Sequence, residues 1–461
     1  MPTGQSTPRI NRSVVIIVFV CLITRIVFFG FVHPWTADKE ENVVLQSDAW
    51  GYHMLARNIL EHGSFSIEMD QVPNSSRTPL YPGFVAAVYA VFGYKPWVAI
   101  CVQMVLDALA CLLLFLTLFR LFDYRVGLIA AFFYAIDPML ILYSSATLLS
   151  DSLFVGLVVV AFYWFSRGFK ADSSGKTVVY YGVCGFFMGL ATLCRPISQY
   201  LPVVFIVFLL VWYRKQWREG LRYAVVFMVI FAVTLLPWYI RNYKTFGHFV
   251  FSSASYQNML VGYVAPMEMI RRNQSFNEVK ASLLEEAEQR MIADGLDPET
   301  MDGWEKGKYY RPLAMSYIKR DPVLFGKTYL YGVMYLFTSL NTTVFSEKLG
   351  ITMPEANIKG THNVIDLVKN FIAKKGVAGV VMALVIAPLF LVAYLGAVLG
   401  FFVSWKKYNR YIIVLCAVII VYFAALTGVK GMARFKLPAI PFYLAFTGIG
   451  LSYLRDRFLR H

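Results

Sequence analysis

Charge is scarce in this 461-residue sequence, whereas hydrophobic residues are abundant. Only 15% of the residues are charged and 58% are hydrophobic. Soluble globular domains lie nearer about 45–50% apolar and about 25% charged. The composition therefore excludes an ordinary soluble globule, a disordered chain and a collagen-like chain.

Cysteine is also sparse, and its positions form no recognisable pattern. All six cysteines lie inside apolar runs, with no CxxC spacing and no neighbouring Cys/His pair: Cys21, Cys101, Cys111, Cys184, Cys194 and Cys416. Cysteines of this kind behave as small buried hydrophobic residues. The sequence thus predicts neither a disulfide framework nor a zinc site.

The short motifs of nucleotide-using enzymes are missing too. There is no P-loop, no GxGxxG after a strand, no GxSxG elbow and no kinase signature. The net charge of +15 accompanies no basic and aromatic module for nucleic acid. We attribute this charge to basic cytoplasmic loops and to residues that contact anionic lipid head groups. We expect no nucleic-acid partner.

Long apolar runs are what the sequence does contain. A run of about 20 residues is long enough to cross a hydrocarbon core of about 30 Å as an α-helix. The pattern predicts an all-α polytopic membrane protein with about ten crossings, or up to 12–13 helices when interfacial ones are counted. The predicted crossings are 13–33, 97–119, 126–146, 149–168, 177–195, 197–213, 222–240, 376–404, 411–428 and 435–454.

The short basic connections set the predicted orientation. Ten crossings place all of them, with Arg9 and Arg12, on one side, which the positive-inside rule makes cytoplasmic. These residues are Arg120, Arg125, Arg167, Lys170, Lys176, Arg214, Lys215, Arg218, Arg222, Lys406, Lys407, Arg410, Arg455, Arg457 and Arg460. Both termini are then cytoplasmic.

Two apolar stretches do not fit as crossings, because they would reverse this arrangement. We interpret 79–94 and 323–345 as interfacial or re-entrant helices. The chain then reads as one domain, 1–461, with three long outer segments at 34–96, 241–325 and 346–375. The polar part of the second, about 50 residues, is too short for a confident core of its own and is predicted to be a cap resting on the membrane.

Asp48 is the strongest candidate for a catalytic residue. It begins a helical pattern that ends at Gly63, and Tyr52 follows one turn later on the same face. The helix N-terminus favours an ionised carboxylate, which can act as a general base. The alternative is that Asp48 only caps the helix.

Further candidates stand at the outer ends of other helices. Arg77 and Tyr81 flank two prolines where a loop meets an interfacial helix, and Asp151 follows Ser150 at the start of a crossing. Arginine binds phosphate through a planar fork of donors. The alternatives are contact with lipid head groups for the first two residues and helix capping for Asp151.

Outer cations need an explanation, because the positive-inside rule does not favour them. A shared anionic ligand such as a lipid phosphate would explain them, and single contacts with lipids or with Asp48 and Asp151 are the alternative. They are Arg195, Arg241, Lys430, Arg434 and Lys436. A divalent metal is a candidate cofactor, with His53 and Glu61 as candidate ligands, although no HxxxH spacing supports it.

In their order along the chain, these motifs resemble the GT-C membrane glycosyltransferases. The resemblance is to the glycosyltransferase family 39 group of aminoarabinose and protein O-mannosyltransferases, and it extends from 13 to about 450. It rests on Asp48 with Tyr52, the R-x-P-x-Y-P entry at Arg77, Asp151, Leu-Cys-Arg-Pro at 193–196, Leu-Pro-Trp-Tyr-Ile-Arg-Asn at 236–242 and Arg-Phe-Lys-Leu-Pro at 434–438.

The resemblance implies a GT-C fold and a polyprenyl-phosphate-sugar donor. It implies inverting transfer to a lipid, glycan or protein acceptor on the exoplasmic face of a bacterial or archaeal cytoplasmic membrane. Asp48 is then the expected base and Asp151 a carboxylate near the developing positive charge. Tyr52, Arg77, Tyr81, Arg195, Arg241, Arg434 and Lys436 are then expected to bind the substrate or its phosphate. We expect a monomer in contact with membrane lipids.

Three other readings stay open at this stage. A lipid-linked saccharide flippase would place polar residues mid-membrane, where Asp107 and Asp137 are the candidates. An O-antigen ligase or polymerase would need clustered outer arginines, of which Arg271–Arg272 is the one adjacent pair. The third reading is an inert scaffold of the same fold.

Overall fold

The computed structural model describes residues 12–35, 43–46, 48–67, 73–169, 171–351 and 364–459, with the backbone alone for 364–375. Its α-helices are α1 (Arg12–Val32), α2 (Asp48–His62), α3 (Leu80–Phe92), α4 (Pro96–Leu121), α5 (Tyr124–Ile136), α6 (Pro138–Ser145), α7 (Asp151–Gly168), α8 (Ser174–Cys194), α9 (Leu201–Trp212), α10 (Trp217–Phe246), α11 (Ala254–Gln257), α12 (Ala265–Arg272), α13 (Phe276–Ala293), α14 (Gly303–Arg320), α15 (Pro322–Thr338), α16 (Thr342–Lys348), α17 (Val364–Lys407), α18 (Arg410–Thr427) and α19 (Ile440–Phe458). A π-helical segment, Asn258–Val264, joins α11 to α12, and a 3-10 helix, Ala433–Ala439, precedes α19. These ranges contain no β-strand.

The membrane-length helices correspond to the predicted crossings. Among the described residues, eight helices are long and apolar enough to span a bilayer, and the bent pair α5 and α6 makes a ninth. The predicted tenth crossing, 197–213, corresponds to the shorter apolar segment Pro196–Trp212. The eight are Arg12–Val32, Pro96–Leu121, Asp151–Gly168, Ser174–Cys194, Arg214–Phe246, Gly376–Lys407, Arg410–Thr427 and Ala433–Phe458.

The two stretches interpreted as non-crossing are short helices in the structure. The first is α3, with 13 residues. The second divides into α15, with 17 residues, and α16, with 7. Neither is among the eight spans. Parts of two predicted loops, 36–42 and 352–363, and the basic residues Arg9, Lys170 and Arg460 lie outside the described residues.

The predicted crossing 126–146 is broken, which the sequence analysis did not anticipate. Its two halves, α5 and α6, meet at an angle of 54°. Proline at position 138 has no backbone N–H to continue the helix. Asp137 instead accepts hydrogen bonds from the N–H groups of Met139 and Leu140, which caps α6.

Small residues bring α17 and α19 into close contact. A Cβ atom on Gly400 would collide with the carbonyl of Phe446, and one on Gly450 would collide with the carbonyl of Gly396. These contacts join α17 to α19 in the way that small residues commonly join helices in membranes. The packing leaves Ile440–Gly450 of α19 buried, so the N-terminal end of this helix lies deep inside the bundle.

The cap, residues 254–320, contains a small buried cluster, to which residues before the polar stretch 273–322 also contribute: Leu260, Val264, Ala265 and Met267. Leu283 on α13 and Leu313 on α14 are fully buried in this cluster. Capping boxes at Ser275 and Asp302 fix where these two helices begin. Glu268, 2% exposed, is paired with Arg271 and Arg272. The cap is therefore a packed unit, and its side of the membrane is called the cap face below.

Candidate functional site

Asp48 is the centre of a charged site on the cap face. It is the first residue of α2, and Gly63 ends that helix with a φ of +64°, as the sequence predicts. Its two carboxylate oxygens each accept a hydrogen bond of 2.8 Å, one from Arg77 and one from Arg434. Burial opposes ionisation of the carboxyl, but the two guanidinium groups outweigh it and hold the pKa of Asp48 well below its ordinary range.

Arg77 packs against aromatic side chains as well as against Asp48. Its guanidinium lies 4.7 Å from the centre of the Tyr52 ring, on the helical face predicted from the i, i+4 spacing. The Tyr52 hydroxyl lies 3.1 Å from the Ser150 hydroxyl, and its ring packs edge-on against Tyr81. These contacts limit the directions in which Arg77 can point.

Asp151 forms the second carboxylate position of the site. It begins α7, and its side chain is 1% exposed. Arg195, at the end of α8, donates a hydrogen bond to it, and Arg434 Nε lies 3.4 Å from its other oxygen. Arg434 therefore bridges Asp48 and Asp151, which are more than 100 positions apart in the sequence.

Phe435 lies among three positive charges of the site. The charged groups of Arg195, Lys430 and Arg434 lie 5.6, 5.4 and 5.4 Å from the centre of its ring. An aromatic face attracts cations and keeps them apart without neutralising them. The sequence analysis did not single out Phe435. Its position between two basic residues, in Arg-Phe-Lys at 434–436, could have indicated that its ring contacts cations.

Lys430 joins the site from the turn before α19. Its ammonium donates a 2.7 Å hydrogen bond to the side-chain oxygen of Asn258, in the π-helical segment of the cap. Burial, with repulsion from Arg195 and Arg434, lowers the pKa of Lys430 to about 8. The described residues place no carboxylate within salt-bridge distance of it.

Arg77, Arg195, Lys430 and Arg434 are called the cation cluster below. They face two carboxylates, so the three arginines alone give the site an excess of positive charge, and protonated Lys430 adds to it. An excess of cations around two carboxylates is suited to an anion with two negative charges, such as a phosphate monoester. It is poorly suited to a metal cation.

Two predicted phosphate ligands lie elsewhere. Arg241 donates to the carbonyl of Asn74 and to the side chain of Asn242, and contacts neither Asp48 nor Asp151. Lys436 is fully buried on another side of its 3-10 helix, where it donates to the carbonyl of Phe337 and the hydroxyl of Tyr394. Tyr81 is close to the site through Tyr52, but its own hydroxyl donates to Gln103.

The candidate metal ligands are also engaged in other contacts. His53 Nδ1 lies 2.8 Å from the hydroxyl of Tyr89, and burial lowers the pKa of His53 to about 4. Glu61 is paired with Arg57 at 3.1 Å. Across the described parts of the chain, no group of three or more His, Cys, Asp or Glu side chains could hold a metal ion.

An apolar groove of about 390 Å³ adjoins the charged site. Three of its lining residues lie close in sequence to charged residues of the site. Pro79 follows Arg77 by two positions, Leu153 follows Asp151 by two, and Leu193 precedes Arg195 by two. The other lining residues are Leu80, Gly83, Phe84, Leu157 and Leu190. The groove therefore lies between α3, α7 and α8, near the helix ends that carry Arg77, Asp151 and Arg195.

Part of the chain matches a known family. Residues 76–239, somewhat more than a third of the sequence, match the model for dolichyl-phosphate-mannose-protein mannosyltransferase. The matched segment contains Arg77, Asp151 and Arg195, whereas Asp48 and Arg434 lie outside it. No curated protein matches the chain.

Solved structures match almost the whole chain. Archaeal oligosaccharyltransferase AglB from Archaeoglobus fulgidus, in complex with an inhibitory peptide and a dolichol-phosphate, is 15% identical, with a TM-score of 0.55 over 96% of this chain and 50% of that one. Its apo form is 16% identical, with a TM-score of 0.54 over 96% and 50%. ArnT from Cupriavidus metallidurans bound to undecaprenyl phosphate is 16% identical, with a TM-score of 0.44 over 96% and 79%.

The comparisons confirm the expected fold. The chain spans about half the length of the archaeal structures, and over that half its fold is similar to theirs. With the family-model match, this confirms the resemblance to the GT-C glycosyltransferases and a multi-pass, all-helical membrane protein.

Proposed function

We propose, on the basis of this GT-C fold, that the chain is a membrane glycosyltransferase that moves a sugar from a polyprenyl-phosphate donor to an acceptor hydroxyl. One observation carries the proposal: members of the cation cluster lie at the ends of the helices that line an apolar groove. A polyprenyl phosphate has the same division into an anionic head and an apolar tail. The similar archaeal fold was solved with a dolichol-phosphate, which supports this class of lipid.

The groove between α3, α7 and α8 would hold the first units of the polyprenyl tail. Its volume of about 390 Å³ fits only part of a long tail, so the remainder would lie in the bilayer. An apolar groove next to the reacting phosphate would also limit access of water to the activated sugar.

The cation cluster would stabilise the leaving group. The donor is a phosphodiester with one negative charge, and the departing polyprenyl phosphate carries nearly two. Charge that grows as the bond breaks is stabilised more in the transition state than in the bound substrate, and this difference accelerates the reaction. This stabilisation would come from the four members of the cation cluster. Arg241 and Lys436, which were also expected from the sequence to bind the phosphate, would not take part.

Asp48 would act as the general base. In the free protein its low pKa makes it a weak base, because Arg77 and Arg434 occupy both oxygens. We infer that the donor phosphate draws these arginines toward itself and so raises the basicity of Asp48. The acceptor oxygen then attacks the anomeric carbon, its proton passes to Asp48, and the electron pair of the broken bond stays on the phosphate.

Asp151 would act mainly through its arginines. Its side chain is buried behind Arg195 and Arg434, so it orients the cations that meet the phosphate. A carboxylate there also limits their mutual repulsion. The sidedness proposed from the basic loops places this chemistry on the exoplasmic face, with both termini cytoplasmic.

The structure favours this enzyme over the alternatives. Asp107, a candidate for a flippase path, is fully buried in a pair with Arg25, and Asp137 caps α6. The adjacent arginines expected of a ligase, Arg271 and Arg272, instead neutralise Glu268 in the cap.

The test is a transfer assay on detergent-purified protein with a panel of polyprenyl-phosphate hexose, pentose and amino-sugar donors. We expect wild type to release polyprenyl phosphate with at least one donor. Asp48→Asn should lower the rate by about 10²–10⁴-fold, as expected for loss of a general base. Arg434→Met should lower it by at least about 10²-fold, as expected for loss of a cation from the transition state.

Asp172→Asn is the matched control, because Asp172 is 86% exposed and its partner is Lys176. It should retain the wild-type rate. Full activity of both Asp48→Asn and Arg434→Met would refute the assignment of the site. If Asp48→Asn still releases polyprenyl phosphate while Arg434→Met does not, the protein is still a transferase, but Asp48 is not its general base.

A further inference from the structure

The Arg77 turn, residues 73–78, is held in place by contacts that the proposed chemistry does not use. The side-chain oxygen of Asn74 accepts hydrogen bonds from the backbone N–H groups of Ser76 at 3.1 Å and Arg77 at 2.8 Å. An asparagine turn of this kind fixes the backbone two and three residues further on. The direction in which Arg77 leaves the chain therefore depends on Asn74.

Arg241 holds Asn74 from α10. Its guanidinium donates to the Asn74 carbonyl at 3.3 Å and to the Asn242 side chain at 2.9 Å. It packs against the rings of Phe65, Trp238 and Phe246, with centres at 5.3, 4.9 and 5.1 Å. Three rings around one guanidinium leave it little freedom to reach a substrate.

The segment that leads into the cap holds the other side of the same turn. Ser252 donates to the carbonyl of Ser76 at 2.6 Å, and the N–H of Ser253 donates to the carbonyl of Ser75 at 3.0 Å. The hydroxyls of Ser75 and Ser253 lie 2.8 Å apart. A Cβ atom on Gly303 would lie only 2.5 Å from the Ser253 hydroxyl and 2.8 Å from that of Ser75.

The Leu-Pro-Trp-Tyr-Ile-Arg-Asn motif at 236–242 supplies several of these contacts. Trp238 donates to the carbonyl of Phe251 at 2.9 Å, and Asn242 donates to the carbonyls of Val250 and Phe251. The motif thus joins α10 to the segment before Ser252 and, through Arg241, to the Arg77 turn. The side chains of Trp238, Arg241 and Asn242 are used in these contacts.

We propose that Arg241 is a positioning residue: it sets Asn74, and through Asn74 the Arg77 turn, so that the Arg77 guanidinium meets Asp48 and the donor phosphate. The phosphate part rests on the proposed function. The contact between the cap and the Arg77 turn at Gly303 serves the same purpose from the opposite side. This role replaces the direct phosphate contact that the resemblance implied for Arg241.

The first experiment is a double-mutant cycle read by calorimetry, with undecaprenyl phosphate in detergent micelles as the probe. Arg241→Met should weaken binding about 10-fold or more, the usual effect of losing a hydrogen bond to a charged group. In an Arg77→Ala background the same substitution should change affinity less than about twofold, because Arg241 acts through Arg77. Equal losses in both backgrounds would show that Arg241 contacts the phosphate itself and would overturn the proposal.

The second experiment is hydrogen exchange of the Ser76 and Arg77 amides, which requires no ligand. Arg241→Met, Asn74→Ala and Gly303→Ala should each speed this exchange about 10-fold or more, while the amides of α7 and α19 stay protected. Arg241→Lys, which keeps one donor for the Asn74 carbonyl, should restore part of the protection. Tyr243→Phe, at a residue 58% exposed on the same helix, is the control and should leave exchange unchanged.

The two experiments separate two kinds of failure. If wild type does not bind undecaprenyl phosphate, the proposed function fails, yet the exchange rates still decide whether Arg241 sets the turn. If wild type binds the lipid and exchange in Arg241→Met matches wild type, the positioning role is refuted and the transferase proposal stands.

Discussion

Arg434 shows how one residue gives the site its geometry. It contacts both Asp48 and Asp151, and its side chain is 13% exposed. Two carboxylates this close would repel each other without a cation between them. The cations also outnumber the carboxylates, so some of their N–H donors have no carboxylate partner. In the described part of the chain, Lys430 donates its hydrogen bond to the neutral side chain of Asn258.

Lys430 gives the site a testable pH dependence. Its pKa of about 8 means that it is charged below pH 8 and loses its charge as the pH rises through 8. A bound phosphate monoester stays doubly charged over this range, since its second pKa is about 6. Affinity for undecaprenyl phosphate, measured by calorimetry between pH 7 and pH 9, should therefore fall as the pH rises.

Two substitutions isolate the contribution of Lys430. Lys430→Arg keeps its charge throughout this range and should give a flat profile. Lys430→Met should bind weakly at every pH. A wild-type profile that is equally flat would remove Lys430 from the phosphate site.

Sequence reasoning predicted most of the residues that the structure brings together in this candidate site, but not the direction of every side chain. Asp48, Arg77, Asp151, Arg195 and Arg434 were all expected, because charged residues at one end of membrane helices meet on one face. Lys436 was misplaced for a geometric reason. It lies two positions after Arg434 in a 3-10 helix, where about three residues complete a turn, so the two side chains point in different directions.

The short helix α3 is the element that makes a lipid groove possible. It contributes the wall opposite α7 and α8, and its 13 residues extend about 20 Å at 1.5 Å per residue. Sequence analysis predicted this helix from the charge balance of the loops. It did not predict the break between α5 and α6, because the apolar run continues on both sides of Asp137 and Pro138. The cap that Asp137 forms on α6 is a local hydrogen-bonding effect, which a hydrophobicity pattern does not reveal.

Filling the groove should affect long donors selectively. Gly83 lines it and has no atom within 4 Å of a Cβ position, so Gly83→Phe should place a ring in the groove without displacing backbone. We expect KM for a long polyprenyl donor to rise about 10-fold or more, while a donor with a short water-soluble tail keeps its KM. The basis is the apolar area that the long tail can no longer bury, at about 25 cal/mol per Å².

The control for this prediction is Val91→Phe, at a residue 73% exposed on the same helix. It adds a ring to α3 outside the groove and should leave both donors unaffected. Equal effects of Gly83→Phe on long and short donors would place the tail elsewhere.

At the scale of the whole molecule, a buried ion pair ties the first helix to the bundle. Arg25 on α1 lies 2.8 Å from Asp107 on α4, and both side chains are fully buried. Tyr134 on α5 donates to the other oxygen of Asp107 at 2.7 Å, while Arg25 donates to the carbonyls of Tyr134 and Ala135. Those carbonyls lie in the last turn of α5, where Pro138 has no N–H to donate and the Tyr134 carbonyl accepts instead from the N–H of Asp137 at 3.4 Å.

Breaking this pair should destabilise the fold without changing the site, because Arg25 and Asp107 contact none of the residues of the cation cluster. Arg25→Met leaves Asp107 buried without its cation, which typically costs about 3–5 kcal/mol. Thermal unfolding in detergent should show a marked fall in midpoint, while the fraction that stays folded binds undecaprenyl phosphate as wild type does.

The double variant Arg25→Met/Asp107→Leu removes both charges and should recover part of the loss, since apolar replacement of a whole buried pair is often tolerated. A single variant as stable as wild type would show that the pair is dispensable, and a folded variant with weakened lipid binding would instead connect this network to the site.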